Sequence, residues 1–152
     1  MPSLVQAGPV APAETRSIDV TARLQPHAIL PDAFAPLRAI EADIKSGSLE
    51  PALVELVKIR ASQINGCGYC LHMHTSDAIA AGESPARLFL LDAWRESRLY
   101  SPRERAALAW TESLTRLPET GAPDADYDGL PAHFTDAEIV QLTLLIGTIN
   151  TW

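Results

Sequence analysis

No stretch of this 152-residue chain approaches the roughly twenty consecutive apolar residues of a membrane-spanning helix. The opening Met1-Pro2-Ser3-Leu4-Val5-Gln6 also lacks the basic flank and apolar stretch of a secretory signal, so the expected compartment is the cytoplasm. Positive charge is scarce: 12 Lys and Arg against 19 Asp and Glu leave a net charge of -7, which argues against a nucleic-acid backbone or an anionic membrane as partner. Strand-like alternation and internal repeats are absent too, which removes β and solenoid architectures. Cysteine is nearly absent, with two residues in the whole chain, and both fall within one four-residue segment, Cys67-Gly68-Tyr69-Cys70. In a reducing cytosol such a pair calls for a chemical explanation, because a loop this short adds little stability by entropy.

What remains is a chain of one-domain size, 47% hydrophobic and 20% charged, able to bury roughly two thirds of its unfolded surface around one core. Residues 1 to 30, interrupted by Pro2, Pro9, Pro12 and Pro26, read as a loosely ordered arm, and 31 to 152 as a single helical domain. The pattern predicts helices from Ala33 to Ser46, from Glu50 to Ile64 up to the Asn65-Gly66 break, and from Cys67 to Ala81 with Gly82 as terminator. Ser84-Pro85 opens a further helix through Leu88, Leu91 and Trp94. Two capping boxes, Ser101 to Glu104 and Thr135 to Glu138, start the last two long helices. Between those two, Pro118 to Phe134 reads as a long loop with at most one helical turn. The fold class is all-α. Apolar residues on more than one face of 50 to 64 and 136 to 149 require neighbours on several sides, from the core or from a second subunit.

With Cys67 at the start of a helix, its sulfur meets unpaired N–H groups and the positive end of the dipole, which acidifies a thiol. Cys67, Cys70 and His74 share one helix face, and His74 is near enough to Cys70 to exchange a proton. A thiolate that attacks a peroxide becomes a sulfenic acid, and a neighbouring thiol converts it to a disulfide and water. His74 can serve as base and acid. Glu55, which interrupts an apolar run, is the candidate carboxylate behind it; from spacing alone, a solvated Glu55 paired with Lys58 is the favoured reading.

Zinc could draw on Cys67, Cys70, His72 and His74, but on a continuous helix His72 and His74 point roughly 200° apart, so no metal is expected and His72 goes to the surface. Haem attachment would need His directly after Cys70, where Leu71 stands, and a thioredoxin module would need a βαβ pattern. Two inert buried cysteines remain the plainest alternative. No cofactor is expected. His27 and His133 are assigned to the surface or loops, and Trp94, Trp110 and Trp152 to packing.

Glu55 through His74, read as Glu-Leu-Val-Lys-Ile-Arg-Ala-Ser-Gln-Ile-Asn-Gly-Cys-Gly-Tyr-Cys-Leu-His-Met-His, resembles the core of the AhpD-like alkylhydroperoxidases of the carboxymuconolactone decarboxylase superfamily. The similarity continues through Ala81-Gly82-Glu83, Trp94-Arg95-Glu96, Glu104 to Glu112 and Ile149-Asn150-Thr151-Trp152. The resemblance implies an AhpD-like helical bundle assembled as a homotrimer or homohexamer. It implies a thiol-dependent peroxidase of peroxiredoxin type in antioxidant defence, acting on a hydroperoxide and recharged by a thiol or dithiol reductant or its protein carrier. It makes Cys70 peroxidatic, Cys67 resolving, and His74 and Glu55 the proton relay, which reverses the spacing-based preference for a solvated Glu55. Tyr69 stands where the best-known peroxidases of the family carry His. Two alternatives are a carboxymuconolactone-type decarboxylase and a non-enzymatic redox sensor or disulfide-exchange protein.

Overall fold

The computed structural model describes residues 23–152, so most of the arm expected over 1 to 30 lies outside the described residues. Among those described, nine α-helices and one 3-10 turn follow one another without a strand. They are α1 (Pro26–Ile29), α2 (Pro31–Lys45), α3 (Pro51–Asn65), α4 (Gly68–Ala80), α5 (Pro85–Phe89), the 3-10 turn Leu91–Ala93, α6 (Pro102–Thr115), α7 (Leu117–Thr120), α8 (Asp124–Asp128) and α9 (Asp136–Thr151). The all-α expectation therefore holds. None of these helices is long and apolar enough to cross a membrane.

Helix α3 is the axis of the fold, packed against α4, α6 and α9 at once. Its apolar residues divide between two cores. Leu53, Val54 and Val57 join Trp110 of α6 and Leu142, Leu145 and Ile146 of α9, whereas Leu56 and Ile59 join Leu88, Leu91, Trp94 and Leu108 on the other side. The two sets lie on different faces because residues three and four apart align on a helix. Full burial of each Leu or Ile side chain is worth about 1.5–3 kcal/mol, so α3 is held from both sides. This answers the expectation of several packing neighbours for α3 within one subunit.

Local signals position the ends. Gly66, at φ 64°, ends α3, with its N–H on the Gln63 carbonyl and that of Cys67 on Ser62. Only glycine adopts this left-handed turn without cost. Gly82, at φ 96°, ends α4 in the same way, with bonds from Gly82 to Ile79 and from Glu83 to Ala78. Both expected capping boxes form, at Ser101 with Glu104 and at Thr135 with Glu138.

Two expectations fail. The helix expected from Ser84 through Trp94 stops at Phe89, passes into the 3-10 turn and leaves Phe89 and Leu90 exposed. Leu88, Leu91 and Trp94 recur every third residue, which a helix of 3.0 residues per turn keeps on one face and an α-helix rotates away. Burial of all three in the core formed by Leu56 and Ile59 of α3 and Leu108 of α6 thus selects the tighter turn. The expected loop from Pro118 to Phe134 holds two short helices, α7 and α8, where at most one turn was anticipated. Its Pro118 and Pro123 lie at the second helical position of α7 and just before α8, where a missing N–H costs nothing.

Candidate active site

Gly66 turns the chain so that Cys67 becomes the N-cap of α4, its sulfur accepting the Cys70 N–H at 3.2 Å. The two sulfurs are joined, with the Cα atoms 5.4 Å apart. One turn further along α4, His74 is buried, 5% exposed, and its Nδ1 lies 2.9 Å from Oε2 of Glu55 on α3. The antiparallel packing of α3 and α4 across the tight Asn65–Gly66 turn brings the carboxylate and the imidazole together. Asn65 also donates to Asn150 at the end of α9 at 2.7 Å, and Asn150 donates to Thr115 at 3.1 Å, so the turn that aims the cysteines is tied to the ends of two other helices.

A cavity of about 660 Å³ opens in front of this group. Cys70 and His74 line it; Cys67 does not. Phe34, Arg38, Glu41 and Lys45 of α2, spaced at four, three and four residues, form the facing wall. One end is aromatic: His27 of α1 packs edge-on against Phe34 at 4.8 Å between ring centroids, and Trp152 stacks on Phe34 at 5.8 Å. At the other end Lys45, Glu55 and Asp77 also border a second cavity of about 560 Å³.

The structure brings Cys67, Cys70, His74 and Glu55 together, and it corrects the pairing that spacing favours for Glu55. Lys58 does not reach Glu55; it is buried, 2% exposed, and donates to Oε2 of Glu41 at 2.6 Å. The i,i+3 rule weighs only local neighbours, and here a residue of α2 outcompetes the one on the same helix. His72 and His133 are exposed as expected. His27 is exposed too, yet it faces the cavity, which the sequence reading missed because α1 is a single turn with no periodic pattern. The stripe of α2 was legible in principle from its spacing.

The other resemblance segments have structural work. Glu112 accepts from Arg60 Nε at 2.9 Å, from Trp94 Nε1 at 2.8 Å and from Arg95 Nη1, which clamps α3, α6 and the 3-10 segment together. Burial raises the Glu112 carboxyl, but the bonds from Trp94 and Arg95 and the charges of Arg60 and Arg95 outweigh it and hold the group below the usual carboxylate value. Trp110 donates to Thr143 at 3.0 Å, so Trp94 and Trp110 are packing anchors as expected.

A chain helical throughout its described residues, with paired cysteines at a helix start and a histidine–carboxylate pair beside them, is of the AhpD-like class. Residues 31–113 match the carboxymuconolactone decarboxylase family, and the chain belongs to that family. It is 39% identical over 130 residues to the uncharacterised protein YdfG of Bacillus subtilis, covering 86% of this chain and 88% of YdfG. A solved structure from Agrobacterium tumefaciens, a protein of unknown function provisionally named antioxidant defence protein AhpD, superposes with a TM-score of 0.82 at 42% identity over 87% of this chain and 90% of that one. An uncharacterised peroxidase-related protein from Silicibacter sp. superposes at 0.66 with 26% identity, covering 76% of this chain and 62% of that one.

Proposed function

We propose that this protein is a thiol-dependent hydroperoxide reductase in antioxidant defence. The observation that carries the reading is that Cys70, bonded to Cys67, shares a cavity wall with His74, whose ring is bonded to Glu55. The provisional name of the Agrobacterium relative is consistent with it. In the reduced protein His74 takes the Cys70 proton, and Glu55 at Nδ1 orients the ring and balances the resulting imidazolium. The thiolate attacks the distal oxygen of the hydroperoxide; an S–O bond forms, the O–O bond breaks, and the departing alkoxide takes the proton from His74 and leaves as the alcohol. The Cys67 thiolate then displaces hydroxide from the sulfenic acid, which leaves as water after protonation and completes the disulfide. Two electrons have passed from the thiols to the peroxide, and an external thiol or dithiol, free or on a protein carrier, restores them. A reducing compartment such as the cytoplasm belongs to this reading, as does assembly into trimers or hexamers, for which the exposed Val140 and Leu144 of α9 offer an apolar face.

Fully reduced protein given one equivalent of cumene hydroperoxide should consume it and finish with the Cys67–Cys70 bond, detected by mass spectrometry of alkylated peptides. Peroxide that persists beside free thiols rejects the proposal. A decarboxylase, as in the family's name, makes no use of the thiol pair, so turnover of a lactone acid that survives Cys70→Ser would favour that chemistry instead.

A further inference from the structure

Lys58 is the group in the cavity that the mechanism above does not use. Lysine is almost never this buried without a task or a partner, and the wall it occupies belongs to the candidate site. Its partner, Glu41, comes from α2 and is the more exposed of the two, with a side chain 19% accessible against 3% for Lys58. A hydrophobic side chain at this position would avoid the desolvation of an ion pair altogether.

The register of α3 against α4 places Lys58. The two helices run antiparallel from the Asn65–Gly66 turn, and Glu55 meets His74 across them. One turn onward along α3 is Lys58, and one turn back along α4 are Cys70 and Leu71, both steps a rise of roughly 5 Å. Leu71 packs into the core beside α5 and α6, whereas Cys70 faces the cavity. Lys58 and Cys70 are therefore the rung next to Glu55 and His74.

We propose that Lys58 is a second charged partner of Cys70: an ammonium fixed by Glu41 that stabilises the negative charge of the Cys70 thiolate and, on the hydroperoxide reading above, the charge that passes to the departing oxygen. The O–O cleavage keeps the balance already given, with His74 as proton donor and Lys58 supplying charge alone. Tyr69, the residue before Cys70, is 61% exposed, whereas Lys58 lies across the helix pair from Cys70 and is buried. Other titratable groups border the same space. On α2, Arg38 and Lys45 are exposed; on α4, Asp77 is exposed, and His74 is engaged by Glu55; His27 belongs to the aromatic end. Lys58 is the buried cation among them.

The test uses Cys67→Ser protein, in which Cys70 is the sole thiol and serine keeps the helix cap. The rate of iodoacetamide alkylation against pH reports the thiolate directly and needs no peroxide. Lys58→Met should move the midpoint to higher pH and slow alkylation at pH 7 about tenfold, a shift of about one unit. Lys58→Arg should keep the parent profile. Glu41→Gln should move the midpoint the opposite way, since it removes the charge that opposes Lys58 at the thiol, and a purely structural ion pair gives no such opposed shifts. An unchanged midpoint in Lys58→Met overturns the proposal. Should that variant not fold, Glu41→Gln decides alone, and an unchanged or raised midpoint overturns it. In the two-cysteine protein Lys58→Met should also slow peroxide consumption beyond the loss of thiolate. If the parent protein consumes no peroxide, the hydroperoxide reading falls while the alkylation profiles still decide the role of Lys58.

Discussion

Helix α3 carries charge on two faces, and the faces use it differently. Toward α6 and the 3-10 segment, Arg60 is bonded to Glu112, Gln63 and Asp92, and Glu112 accepts from three donors. Toward α2 and α4, Glu55 holds His74 by one bond and Lys58 holds Glu41 by another, and all four side chains border the cavity. Each region has a buried ionisable pair of residues at its centre, Arg60 and Glu112 in the first and Lys58 and His74 in the second, so burial alone does not separate them. What separates them is valence. In the first region both carboxylate oxygens of Glu112 are taken, so the charge is committed to the fold. In the second, each group has one partner and borders the cavity, which leaves room for a reacting molecule.

The contrast breaks most sharply at Glu112. Glu112→Ala removes the acceptor shared by Arg60, Trp94 and Arg95, leaves Arg60 with Gln63 and Asp92 alone, and should destabilise the fold by about 3 kcal/mol, read as a lower midpoint in urea unfolding. Glu55→Gln should do the reverse: little change in that midpoint but, on the hydroperoxide reading, peroxide consumption lowered about a hundredfold as the carboxylate behind His74 is lost. Comparable stability losses in the two variants would erase the distinction. The link between the regions is Gly66, and Gly66→Ala should cost about 1 kcal/mol, because a β-carbon disfavours the left-handed turn at φ 64°. A loss of thiol reactivity disproportionate to that cost would show that the turn also aims the cysteines.

The smallest effect belongs to a third ion pair at the surface. Glu138 is held at about 2 by its bond from Arg103 and the Thr135 N–H, against an ordinary value of 4.5. Its folded value lies below its unfolded one, so its contribution is complete above about pH 4.5 and is lost as pH falls toward 2. Glu112 and Glu104 are displaced in the same direction. Thermal melts should show the melting temperature declining below pH 4.5, and Glu138→Gln should flatten part of that decline.

The parts of this molecule that were legible in its sequence are those governed by neighbours within one helical turn. Ser101 and Thr135 cap their helices through contacts three residues away, and Gly66 and Gly82 end theirs by local backbone preference. The Cys67, Cys70 and His74 face follows from the same periodicity. The misses share another cause. The break after Phe89 is imposed by burial in the core beside α3, the partner of Lys58 sits seventeen residues away on α2, and His27 reaches the cavity by packing on Phe34. Tertiary contact decided each of these, and no window of sequence contains it. Glu55 lies between: its place in an apolar run made it a candidate for His74, local spacing favoured Lys58, and the resemblance tipped the balance to His74.

The cap of α4 has a consequence for the electron balance of the couple. Because Cys67 sits where α4 begins, its sulfur is the group that answers the unpaired N–H at that end. A thiolate answers it with a full negative charge, a disulfide sulfur only with a lone pair, so the helix favours the open form. On the hydroperoxide reading, folding energy spent on the reduced state would raise the potential of the pair and favour transfer of its bond to an incoming dithiol.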